Sequence, residues 1–365
     1  MNSSKRLLSV DCMRGYTVAA MLMVNFPGNE NFVYSTLQHS KWNGLTFTDI
    51  VAPFFLFIVG TSIVLAFSPK LEQGVPKSSF HKKIILRSLK IFAVGMFLNM
   101  LPDFNFGDLR WTGTLHRIAI VYLVCAFLFL YTNRTQQIII GYFIMVAYWL
   151  VMTLIPTPGY GKVMLEPGVN LAAWIDSKYL PGKMWQGTWD PEGILSTFPS
   201  FVSCITGMMA GYLLRNSKLI EWERPIWLMI TGIIMATLGY FWGLLFPVNE
   251  NIWTSSFVLV TSGFAFLVLG ASHYLTDLKG YTRYAKTGVV FGMNAITVYV
   301  LGDLLSLVFY QAKLGGDTIN GWGTKFLTQI GFEPKLASLM YAVTFVAICY
   351  LPCLWLYRKK IFIKL

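Results

Sequence analysis

Apolar residues dominate the chain in long runs separated by short polar stretches. The runs at 7–26 and 48–67 have the length of about 20 residues that a helix needs to cross a hydrocarbon core of about 30 Å. Further runs near that length follow at 84–101, 113–131, 137–155, 193–215, 225–246, 253–275, 287–311 and 335–357. This pattern predicts an all-α, polytopic membrane bundle of about ten transmembrane helices, with 1–365 as a single transmembrane domain. The longest outer loop, 156–192, carries Trp174, Tyr179, Trp185 and Trp189 among prolines and glycines, and its tryptophans argue for an ordered loop. Those indoles fit either an interfacial belt or stacking faces for sugar rings.

Composition supports the membrane reading: 55% of residues are hydrophobic and 13% charged, and the mean hydropathy is +0.56. A net charge of +12 would point to nucleic acid in a soluble protein, but here it reports orientation. With both termini placed in the cytoplasm, nineteen of the 29 basic residues fall in inner segments, among them Lys5, Arg6, Lys82, Lys83, Arg358, Lys359, Lys360 and Lys364. Eight fall outside (Lys41, Arg110, Lys162, Lys178, Lys183, Lys313, Lys325 and Lys335), and only Arg14 and Arg117 lie within spans. The partner this implies is membrane lipid, not nucleic acid. The lysine-rich inner loop 68–83 faces anionic lipid or the phosphates of a nucleotide. The five cysteines all fall in spans, which implies no disulfide framework, and Cys349 and Cys353 lack the further ligands a metal needs. No metal site is expected. The first apolar run has no small-x-small cleavage site and is expected to stay as an anchor.

Ionisable and amide groups inside such segments mark functional candidates unless paired. Asp11 and Arg14 share a helix face in the first span and form either a structural ion pair or an anion site. His39 lies in the polar loop after that span, just before the turn-like Trp42-Asn43-Gly44, with Asn25 and Asp49 at the flanking span ends. His116 and Arg117 open the fourth span. Arg117 requires a partner, either a carboxylate such as Asp49, Glu192 or Asp303 or an anionic part of a cofactor. Asp190 and Glu192 either complement a helix start or accept hydrogen bonds from sugar hydroxyls or an ammonium. Asn294 sits within a span, and there is no Walker loop, zinc motif or Gly-x-Ser-x-Gly elbow.

The ordered motifs resemble those of the heparan-α-glucosaminide N-acetyltransferase family: Ser9-Val10-Asp11, Arg14-Gly15, Val24-Asn25, His39-Ser40-Lys41-Trp42-Asn43-Gly44-Leu45-Thr46, Asp49-Ile50-Val51-Ala52-Pro53-Phe54-Phe55 and Phe57-Ile58-Val59-Gly60. Leu115-His116-Arg117-Ile118-Ala119, Asp190-Pro191-Glu192-Gly193-Ile194-Leu195 and Gly292-Met293-Asn294-Ala295-Ile296 extend the likeness over about 7–310. Ala52, Phe54 and His116 depart from the family pattern. The chain opens directly at the first motif, as expected of a bacterial inner-membrane member with its His39 loop in the periplasm.

The resemblance implies transfer of acetyl from cytosolic acetyl-CoA to the amine of a glucosamine-type sugar across the membrane, and a homodimer as a possible assembly. It makes His39 the catalytic residue, with Asn25 assisting. On chemical grounds His39 then serves as general base, or as a nucleophile that carries acetyl, with Asp49 orienting it. Trp42, Asn43, Trp189, Asp190 and Glu192 are the expected acceptor-binding residues, and Asp11, Arg14, Arg117 and Asn294 the expected cofactor-binding ones. An amino-sugar transporter, or an acyltransferase acting on cell-wall or lipid-linked glycans, is the alternative.

Overall fold

The computed structural model describes residues 7–101, 104 and 107–363, so Lys5, Arg6 and Lys364 lie outside the described residues. Its helices are α1 (Leu8–Asn25), α2 (Val51–Glu72), α3 (Ser78–Met100), α4 (Thr114–Tyr131), α5 (Arg134–Leu154), α6 (Leu171–Tyr179), α7 (Ile194–Arg215), α8 (Glu223–Trp242), α9 (Ser255–Ser272), α10 (Thr282–Met293), α11 (Ala295–Ser306), α12 (Ile319–Gln329) and α13 (Pro334–Arg358). A two-residue hairpin, Lys313–Leu314 with Asp317–Thr318, is the only sheet among the described residues.

The all-α membrane class holds, but the count of spans differs from the sequence expectation. Seven helices (α2, α4, α5, α7, α8, α9 and α13) are long and apolar enough to cross a membrane among the described residues, or eight if one bent pair counts as a span. The expected spans α1 and α3 form as helices but are less apolar: α1 carries Asp11 and Arg14, and α3 carries Lys82, Lys83, Arg87 and Lys90. The bent pair is the run expected as one span at 287–311, which turns by 81° between Ala285–Met293 and Ala295–Gln311. Asn294 sits at the break with φ −126° and ψ 35°, where its amide bonds outside the helix and stops the ladder. The ordered loop expected at 156–192 is confirmed by α6, whose N-cap Asn170 accepts a hydrogen bond from the Ala173 N–H at 2.9 Å.

The chain divides into two compact units. The first comprises Ser40–Leu45 and Ala52–Lys279 and is centred on α7, which packs on α4, α5, α6, α8 and α9. α2 joins it at backbone distance: a Cβ on Gly60 would overlap the Cys204 carbonyl, and one on Gly207 the Phe57 carbonyl. Thr61 Oγ1 uses that proximity to donate to the Gly207 carbonyl at 3.0 Å. Small residues allow such approach where no water is available to drive helices together. Buried hydroxyls add cross-links, with Ser88 donating to the Ala119 carbonyl and Ser255 to that of Met145. On the other side, α5 and α8 expose Phe143, Leu154, Ile233 and Leu238, a surface suited to lipid.

The second unit comprises Leu7–His39, Thr46–Val51 and the chain from Gly280 onward. α1 packs on α10, α11 and α13. Gly15 faces Gly288, and Gly292 lies against the Asp11 backbone carbonyl. Beyond Asn25, Phe26 stacks obliquely on Tyr310 and Phe345, and Tyr310 Oη donates to the Phe26 carbonyl at 2.7 Å. Ser338 of α13 clamps the next residues, accepting from the Asn29 N–H at 2.9 Å while its own carbonyl accepts from Gly28.

Because backbone atoms cannot yield at these crossings, Gly207→Val is expected to destabilise the protein by about 3 kcal/mol. Thermal unfolding of the detergent-solubilised variant measures this, against Gly141→Ala, where an added Cβ meets only side chains at 3.6 Å or more.

Candidate active site

In the second unit, Asp49 is wholly buried in a short 3₁₀ turn, Thr48–Ile50, that leads into α2. Its Oδ2 accepts from the Thr46 N–H at 2.8 Å, the reach-back of an acid to the backbone three residues earlier that closes a helix start. Its Oδ1 lies 2.9 Å from His39 Nδ1. A carboxylate only accepts, so in this contact Nδ1 carries a proton and Nε2 is directed away from Asp49. The His39 side chain is 59% exposed while Asp49 is fully buried. The imidazole thus stands at a surface on a fixed carboxylate. Thr36 accepts from the Phe47 N–H at 3.2 Å and ties together the two strands of chain that carry the pair. Asn25 is exposed at the last position of α1.

Asp11 and Arg14 pair on α1 where it meets α10, and Asn294 ends that second helix. Arg14 Nη1 is 3.0 Å from Asp11 Oδ1 and 3.4 Å from the Gly292 carbonyl, at the C-terminal end of α10 where a cation is favoured. Two residues on, Asn294 is 1% exposed, donates to the Ile361 carbonyl at 3.3 Å and accepts from the Ile363 N–H at 3.0 Å.

In the first unit the expected turn at Trp42-Asn43-Gly44 is present, with Gly44 at φ 126°. Trp42 donates through Nε1 to the Leu165 carbonyl at 2.9 Å and meets Trp189 edge to face, with centroids 5.3 Å apart. Asn43 accepts from the buried Asn249 amide at 3.1 Å. Asp190 and Glu192 are gathered by one arginine, Arg110. Its Nε and Nη2 contact the two Asp190 oxygens at 2.8 and 2.7 Å, and Nη2 also reaches Glu192 Oε2 at 2.6 Å. The guanidinium lies 5.0 Å over the Trp185 ring. Asp190 further accepts from the N–H groups of Trp185 and Glu192, both at 3.0 Å. Burial by itself would raise the Asp190 carboxyl; the bidentate Arg110 contact outweighs it and holds the acid below its usual range, while Arg110 is raised in turn by the two acids.

Arg117 finds neutral acceptors instead of the expected carboxylate: Nη2 donates to the Pro191 carbonyl and to Ser196 Oγ, both at 2.6 Å, and the guanidinium lies 4.7 Å over Trp253. The sequence placed it beside acids because charge had to be balanced, but a planar cation is also accommodated by an indole face and carbonyl oxygens. Its neighbour His116 is buried edge to face against Phe92, with no hydrogen-bond partner for either ring nitrogen among the described residues. The start of α7 is closed by Asp176 of α6 and not by Asp190 or Glu192: Asp176 Oδ1 accepts from the Ile194 N–H at 2.9 Å, against Gly193, where any Cβ would collide with it. Burial pushes the Asp176 carboxyl up to about 6.

The family model described as heparan-alpha-glucosaminide N-acetyltransferase, catalytic, matches residues 6–227. The chain belongs to this family. It is 29% identical to the heparan-alpha-glucosaminide N-acetyltransferase of Mus musculus and 30% identical to that of Homo sapiens. These alignments cover 100% and 99% of this chain but 61% and 60% of the relatives, so the chain spans about three fifths of their length.

The N-acetyltransferase-family match includes Asn25, His39, Asp49, Asp190 and Glu192, whereas Asn294 lies beyond it. Sequence reasoning missed Arg110 and Asp176 as organisers. Arg110 looked like one more outer-loop cation, and Asp176 is separated from Ile194 by 18 positions with no periodic signal. The one readable trace was Gly193, a small residue just where a helix starts.

Removing Arg110 strands two acids, so Arg110→Gln is expected to cost about 3 kcal/mol of stability, read as a lowered unfolding temperature in detergent. Asp176 has the opposite linkage. Its carboxyl binds a proton more tightly folded than unfolded, so stability falls as pH rises from its ordinary 3.8 through about 6, and the loss persists above that window. Asp176→Asn keeps an acceptor for Ile194 and is expected to raise stability at pH 7 by up to about 2 kcal/mol while flattening the profile between pH 4 and 6, as thermal unfolding across that range will show.

Proposed function

We propose that the whole chain, 1–365, acts as a transmembrane N-acetyltransferase that moves acetyl from acetyl-CoA to the amine of a glucosamine-type sugar. The observation that carries this is the exposed His39 held by the buried Asp49, the tautomer and placement a general base needs. Family membership supports the acyl chemistry. In the proposed step the amine nitrogen attacks the thioester carbonyl and its proton passes to His39 Nε2. Asn25 donates to the developing oxyanion. As the tetrahedral adduct collapses, the C–S bond breaks, the new C–N bond remains, and the CoA sulfur takes a proton from the imidazolium. Asp49 stabilises that imidazolium and keeps the ring from turning over.

Orientation follows from charge. The proposed orientation counts ten crossings, with α1, α3 and the bent α10–α11 pair included, has both termini cytoplasmic and the His39 loop on the far side, the periplasm of a bacterial inner membrane, and is supported by the excess of basic residues in the inner segments. The donor therefore enters opposite to the acceptor, with its anionic end near Arg14 and Asn294 and its thioester directed outward. Trp42, Asn43 and Trp189 provide flat and polar surface for the sugar. Glu192, 19% exposed beside Arg110, accepts from its hydroxyls or ammonium.

A second reading, amino-sugar transport, is favoured by one observation, the broken helix at Asn294, since discontinuous helices line many transport sites. Purified protein separates the two: transfer of labelled acetyl from acetyl-CoA to glucosamine in detergent is the enzyme's signature, and uptake of unmodified sugar into vesicles without transfer is the transporter's. His39→Ala is expected to lower the transfer rate by at least about 100-fold with the protein still folded. Full activity in that variant overturns the proposal. Labelled CoA that exchanges into acetyl-CoA without any amine present would convert His39 from general base to acetyl-carrying nucleophile.

A further inference from the structure

The break between α10 and α11 is filled by the chain itself. After α13, Lys360 adopts a left-handed φ of 56° and reverses the backbone, and residues 361–363 then lie along Asn294. Lys360 is not a glycine, so this reversal is a strained one for its side chain. The Asn294 amide uses both of its ends on this segment, donating to one carbonyl and accepting from an N–H two residues later. It thereby reads an extended amide chain as a neighbouring strand would. The segment is partly exposed: Ile361 is 43% and Ile363 47% exposed, Phe362 meets the Tyr357 ring at 6.5 Å, and the Ile361 N–H donates to the Leu356 carbonyl at 2.9 Å. Asn294 itself is 1% exposed beneath it. A buried amide satisfied by a poorly buried segment is a polar site under a removable cover.

We propose that Asn294 is a docking point for the pantetheine arm of CoA, and that residues 361–363 occupy it as a displaceable internal competitor. This rests on acetyl-CoA being the donor. The β-alanine unit of pantetheine carries an N–H and a carbonyl separated by two methylenes, one atom fewer than lie between the 361 carbonyl carbon and the 363 nitrogen. Asn294 satisfies either with the same two hydrogen bonds. Arg14, paired with Asp11 at 3.0 Å, reaches the Gly292 carbonyl two residues away and sets its guanidinium on the side from which an anionic ligand would continue from that arm. The tail therefore keeps a buried amide from being stranded when no CoA is bound, and CoA must displace it to enter.

Two measurements on the full chain test this. Calorimetric titration with CoA establishes whether the donor binds, and amide hydrogen exchange then follows the Ile363 N–H with and without saturating CoA. Exchange at Ile363 is expected to quicken about tenfold or more on binding. Ile363→Pro, which removes the N–H donated to Asn294, is expected to bind CoA about threefold more tightly, because less of the free protein is blocked. CoA binding that leaves Ile363 as protected as before, or weaker or unchanged binding by Ile363→Pro, overturns the competitor. The wild-type exchange experiment decides the matter alone if the proline variant does not fold. No CoA binding at all overturns the donor itself and the competitor with it.

Discussion

A charged or amide group taken out of water must be given partners, and this requirement organises the molecule wherever its chemistry is concentrated. Asp49 is fully buried, and its two oxygens are spent on a backbone N–H and on an imidazole. Asp190 is equally buried and is matched by both arms of Arg110 and two further N–H groups. Asn294 is buried and takes both its partners from a segment nearly seventy positions away. In each case the demand for partners draws together chain segments that have no other reason to meet.

The same requirement separates structural charge from chemical charge. Arg110 bridges Asp190 and Glu192 in a mutually contacting triad that keeps one net negative charge, with the Glu192 carboxylate nearer the surface than that of Asp190. Arg117 is met by one carbonyl, one hydroxyl and an indole. His39 differs from all of these, because its anchor is buried while its ring is more than half exposed. An imidazole anchored on a buried carboxylate is held in one orientation while much of its ring stays exposed.

Close helix crossings supply the frame for these groups. Gly60 with Gly207 in the first unit, and Gly15 with Gly288 in the second, let backbones touch and bring side-chain hydroxyls within reach of carbonyls on neighbouring helices. Side chains that face outward from α5 and α8 are free of any packing demand beyond lipid. Rigidity and membrane solubility thus come from different faces of the same helices.

The helical class, most helix boundaries, the ordered long loop and the His39 loop with its flanking Asn25 and Asp49 are all local signals: runs of apolar residues, turn-forming Asn-Gly, and an acid three positions after Thr46. Such features depend on neighbours within one or two turns, and the order of residues was enough to determine them. The pairing of Arg110 with Asp190 and Glu192, the closing of α7 by Asp176, the neutral setting of Arg117 and the break at Asn294 were decided only by tertiary structure. Each depends on partners 18 to 136 positions apart, whose meeting is set by how helices pack and which buried groups still lack a hydrogen bond, and no period or spacing along the chain encodes that.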